Sequence, residues 1–220
     1  MPWRLHREGR FRAWLGERFG GGPELGDRIW RRCLHFAGAS VLLYYLLPPR
    51  FFLLLSTEEV LLLALGGVLV MEGMRLAAGL ELPTIRPWET RRIASYAYYA
   101  VALVLAVLLF PTPIAVFVVL GTAFVDPLIG ELRRRPVLPA GTIWWLPILV
   151  YLGVGVGALS GVGHWGLLPA ALAALVGGLV AVAVERPKLR GYDDDLAMTL
   201  VPGVILTLWL FVWPAYPGLG

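Results

Sequence analysis

A chain of 220 residues that is 58% hydrophobic and only 15% charged, with a mean hydropathy of +0.73, carries more apolar surface than a soluble domain of that size can bury. Composition therefore excludes a water-soluble globular protein and indicates an integral membrane protein. The single cysteine, Cys33, excludes an internal disulfide, and the net charge of +4 matters less than its distribution.

The first 32 residues hold eight arginines and four acids. No long apolar run follows the first basic residues, so the start does not read as a cleavable signal. Phe11, Trp14, Leu15 and Phe19 recur at helical spacing, which predicts a basic amphipathic segment over 1–30, lying in the cytoplasm or on an anionic membrane surface. A basic tail that only sets topology fits the same residues. Gly20-Gly21-Gly22-Pro23 ends the stripe.

A membrane-spanning helix needs about 20 mostly apolar residues. Seven stretches qualify, near 31–48, 60–79, 93–110, 112–131, 143–160, 165–184 and 196–213. The fold class is thus all-α, a polytopic membrane helix bundle of about seven transmembrane helices, with 31–220 as one transmembrane domain. With seven spans, eighteen of the nineteen basic residues fall on one side and only Arg50 on the other. The excess of basic residues in cytoplasmic loops places the amino terminus in the cytoplasm. Thirteen of the fifteen acids fall on that same side, which locates any chemistry there. Gly- and Ala-rich stretches such as YLGVGVGALSGVG read as helix-packing surfaces rather than nucleotide loops.

Ionisable groups within such spans demand an explanation. Glu72 and Arg75 stand three residues apart, as a structural ion pair or as functional groups. Asp126 precedes Pro127, where a broken or kinked helix, with the carboxylate facing a water-filled site, is expected. Glu131 and Arg133 to Arg135 follow, as a topology clamp or as phosphate ligands. His35 and Glu89 are further candidates, each with a plain packing or surface-pair reading beside it. The stretch ERPKLRGYDDDLAMT (185–199) sets Glu185, Arg186, Lys188 and Arg190 ahead of Asp193, Asp194 and Asp195. One aspartate caps the helix that follows. Three adjacent carboxylates repel one another, and a hard divalent cation, with phosphate oxygens, relieves that. Two of the three are expected to reach one site.

In this order the segments RRCLHF (31–36), MEGMRL (71–76), VLGTAFVDPLIGELRR (119–134) and VERPKLRGYDDDLAMTL (184–200) resemble the CTP-dependent lipid kinases of the dolichol kinase and phytol kinase group, which includes a diacylglycerol kinase. The resemblance covers about 31–202. It departs at Val125, Pro127, Asp195 and Thr199, where that group has Gly, a small residue, Asn and Pro, and it lacks the group's Lys-x-x-Glu-Gly stretch after Arg135. It implies phosphoryl transfer from a nucleoside triphosphate, CTP foremost, to a polyprenol or similar membrane lipid alcohol at the cytoplasmic face. Mg2+ would be held by Asp126, Asp193 and Asp194, with Arg133, Arg134, Lys188 and Arg190 on phosphate. His35, Glu72, Arg75, Glu89 and Glu185 are secondary candidates. The partners implied are a lipid and a nucleotide, with no nucleic acid; a homo-oligomer is compatible. Two alternatives stay open: a catalytically degenerate relative that binds lipid phosphate or a partner protein, and a transporter coupling through Glu72 and Asp126.

Overall fold

The computed structural model describes residues 23–212, apart from 52–54, 81–84, 86–88, 135–138, 140 and 186–192, together with residues 14, 17 and 18. The basic segment expected over 1–30 therefore lies mostly outside the described residues. Among the described residues seven α-helices run in order: α1 (Pro23–Gly38), α2 (Thr57–Ala78), α3 (Ser95–Leu109), α4 (Thr112–Leu132), α5 (Thr142–Gly161), α6 (Leu167–Val184) and α7 (Asp194–Val212). A 3-10 helix (Ala39–Leu46) continues α1, and an antiparallel pair of two-residue strands, β1 (Arg50–Phe51) and β2 (Leu55–Ser56), leads into α2.

Each of the seven apolar stretches contains a helix. Four of them, α2, α4, α5 and α6, are long and apolar enough to cross a membrane, and α3 is shorter but equally apolar. The outer surface supports the same class. Leu62, Leu63, Val70, Trp145, Leu149, Leu167, Leu168 and Leu208 all point outward. A surface of this kind is stable against lipid and not against water.

The core lies among α4, α5, α6 and α7, with α3 against α4 and α7. Phe117 and Tyr151 meet edge to face, with centroids 5.7 Å apart. Glycine makes that closeness possible. A Cβ on Gly121 would lie 2.1 Å from the Tyr151 ring, and one on Gly155 would lie 2.5 Å from the Ala174 Cβ. Packing thus explains Gly155, whereas Gly153 and Gly157 have no neighbour within 4 Å of an added Cβ.

Helix α2 starts three residues before the expected limit because Ser56 and Glu59 form a reciprocal capping box. It stops at Gly79, whose φ of 62° is open to glycine. Between these caps it packs chiefly on α3. Of the break or kink expected at Pro127, the break is absent. Helix α4 is continuous from Thr112 to Leu132, with Pro127 inside it. A proline removes one donor, and a helix packed among neighbours tolerates that loss.

Candidate functional site

Apart from Arg50 in β1 and Glu58 and Glu59 at the start of α2, the described charged side chains within the bundle gather toward one end, in two clusters. In the first, Arg75 donates through Nε and a terminal nitrogen to Glu72, at 2.7 and 2.8 Å. It also donates to the carbonyls of Glu89, Thr90 and Arg92. Glu72 in turn accepts from the Ala94 backbone N–H at 2.7 Å and from the Tyr96 hydroxyl. Both side chains are almost fully buried, 3% exposed for Glu72 and 1% for Arg75. Both members of the pair bond repeatedly to groups inside the protein, which is the mark of a structural clamp. It fastens the stretch before α3 to α2. Glu89 is buried and joins the clamp through its carbonyl.

The second cluster joins three helices that are far apart in sequence. His35 Nε2 from α1 lies 2.7 Å from Asp126 Oδ2 on α4 and 3.5 Å from Asp195 Oδ1 on α7. One donor atom from each lies within 4.8 Å of the others. The His35 ring stacks on Tyr99 of α3 at 4.8 Å, and the Tyr99 hydroxyl donates to the His35 carbonyl at 3.1 Å. Gly38 permits that approach, since a Cβ there would lie 2.4 Å from the Tyr99 ring. Of the three aspartates, Asp195 thus stands with Asp126. Asp193 instead caps α7, accepting from the Asp195 and Leu196 backbone N–H groups at 3.1 and 3.4 Å. Burial, and then the neighbouring Asp195 charge, push the Asp193 carboxyl up to about 7. Asp194 opens α7, and its charge acts on Glu185.

Around this cluster the arginines are engaged. Arg133 donates to Glu185 at 2.6 Å, linking the end of α4 to the end of α6. Arg32 pairs with Glu131 and links α1 to α4. Burial raises the Glu185 carboxyl, and Arg133 beside it opposes the rise. Arg134 is exposed just past α4. Lys188 and Arg190 lie outside the described residues.

One turn deeper, three buried hydroxyls form a chain. Thr199 donates to the Asp195 carbonyl at 2.8 Å and lies 3.0 Å from Thr122, which lies 3.3 Å from the Tyr151 hydroxyl. Thr122 precedes Asp126 by four residues and Thr199 follows Asp195 by four, so each threonine shares a helix face with its carboxylate. That repeated Thr/Asp spacing is a signal in the sequence that distinguishes Asp195 from Asp193 and Asp194, the two aspartates expected at the site. The roles of Tyr99 and Tyr151 had no comparable signal. Taken together, the second cluster presents an imidazole and two carboxylates beside cationic side chains, a donor set able to hold a divalent cation and orient an anionic group. No family model, no curated protein and no solved structure matches the chain.

Proposed function

We propose that this chain crosses the membrane seven times with its amino terminus in the cytoplasm. On this reading it transfers a phosphoryl group from a nucleoside triphosphate, CTP by the resemblance, to a polyprenol or similar lipid alcohol at the cytoplasmic face. The observation that carries the reading is the meeting of His35, Asp126 and Asp195 at the end where the arginines collect. Phosphoryl transfer asks little covalent chemistry of a protein and much positioning and charge neutralisation. A divalent cation, Mg2+ in the group that the chain resembles, would supply charge neutralisation at the triphosphate. Arg134, Lys188 and Arg190 would add positive charge, and Arg133 would exchange Glu185 for a phosphate oxygen. The Glu72–Arg75 clamp would keep the loop before α3 in place and take no part in the chemistry. That role also weighs against a transporter, because Glu72 is held by four hydrogen bonds that a coupling group would have to break.

The engaged state of Arg32 and Arg133 favours a second reading, a relative that binds lipid phosphate without turning over. Purified protein with labelled nucleotide and a polyprenol separates the two. Label in the lipid, falling by about a hundredfold or more in Asp126→Asn, supports the kinase. No label with any of the four nucleotides, while lipid phosphate still binds, leaves the second reading.

A further inference from the structure

The donor set at the second cluster does not suit Mg2+ well. Mg2+ takes oxygen ligands almost exclusively, whereas an imidazole nitrogen is a ligand of first-row transition cations. We propose that His35, Asp126 and Asp195 form a site for a divalent transition cation of the Mn2+ to Zn2+ class, with His35 as the residue that sets the preference over Mg2+. The site is the one assigned to phosphoryl transfer above, and the proposal rests on that reading for what the cation serves.

The geometry carries it. A cation with bonds of about 2.1 Å separates neighbouring ligands by about 3 Å and opposite ligands by about 4.2 Å. His35 Nε2 lies 2.7 Å from Asp126 and 3.5 Å from Asp195. The full set lies within 4.8 Å, so small rotations close all three around one ion. Charge points the same way. Two carboxylates share one half-buried cluster, an arrangement that a divalent ion stabilises. The ligands come from α1, α4 and α7, and their supports are in place. Tyr99 stacks on the His35 ring and holds its carbonyl, and Thr199 holds the carbonyl of Asp195. Such outer partners orient ligands and tune affinity. Three protein ligands leave positions for water or phosphate oxygens.

The test uses the full chain in detergent with the metals alone. Titration followed by the electron spin resonance of free Mn2+, with calorimetry for Mg2+, is expected to give one Mn2+ per chain, bound at least about tenfold more tightly than Mg2+. His35→Gln should abolish that preference, chiefly by weakening Mn2+. Asp126→Asn and Asp195→Asn should weaken both ions, and His164→Gln should change neither. A second measurement needs no variant. Pulsed spin resonance of Mn2+ bound to the unaltered chain should show coupling to a histidine nitrogen. Equal affinity for Mn2+ and Mg2+, no nitrogen coupling, or an unchanged preference in His35→Gln would overturn the proposal. Nitrogen-coupled Mn2+ on a protein that labels no lipid keeps the site and removes the kinase. Lipid labelling with no such coupling does the reverse.

Discussion

Glu72 and Arg75 illustrate how one pair of residues can look functional and be structural. Their spacing in MEGMRL is legible as an i,i+3 pair. The carbonyls of Glu89, Thr90 and Arg92 that complete it come from a polar loop and leave no pattern in the sequence. Removing one partner strands a buried charge. Arg75→Met is therefore expected to lower stability by about 3–5 kcal/mol, read by denaturation in mild detergent. Replacing Glu72 and Arg75 together should recover a large part of the loss. Asp193 and Asp126 make the opposite contrast. Asp193 holds backbone N–H groups, whereas Asp126 faces His35. Asp193→Asn keeps an acceptor for the cap, so it should cost less than about 1 kcal/mol and leave Mn2+ affinity nearly unchanged.

At the scale of elements, all seven apolar stretches became helices, because apolar runs of that length have few other solutions in lipid. The limits were less legible. Capping moved the start of α2 to Thr57, and α1 begins at Pro23 in a charged stretch that hydropathy alone does not mark. Asp126 was legible as a charge within an apolar stretch, whereas its partner among three adjacent aspartates was marked only by the four-residue spacing to Thr199. That choice depends on where α7 begins, and a one-residue shift turns a different carboxylate inward. The α1–α3 contact sets His35 in the same indirect way. Gly38→Ala would drive a methyl group into the Tyr99 ring. It should displace the ring that holds His35, weakening Mn2+ binding by about tenfold or more while circular dichroism still reports the full helical content. Tyr99→Phe removes only the hydroxyl and should have the smaller effect.

For the whole molecule, the proposed seven spans would put the two termini on opposite sides of the membrane. Reporter fusions should be protected from external protease at the amino terminus and cleaved at the carboxyl terminus; termini on one side would remove the seven-span reading. The clamp between α2 and α3 also bears on the lipid around the protein. Glu72 grips the backbone at Ala94, the residue before α3, yet α2 continues to Ala78. At 1.5 Å per residue, α3 therefore opens roughly 9 Å below the end of its neighbour. Helix α3 has 15 residues against 22 in α2, and all of them but Leu109 are at least partly buried between neighbouring helices. Tyr99, and with it His35 and Asp126, therefore stand below the rim that α2 sets. On the proposed reading, a lipid with a small polar end, such as an alcohol, would meet the carboxylates below that rim, without first being lifted out of the membrane.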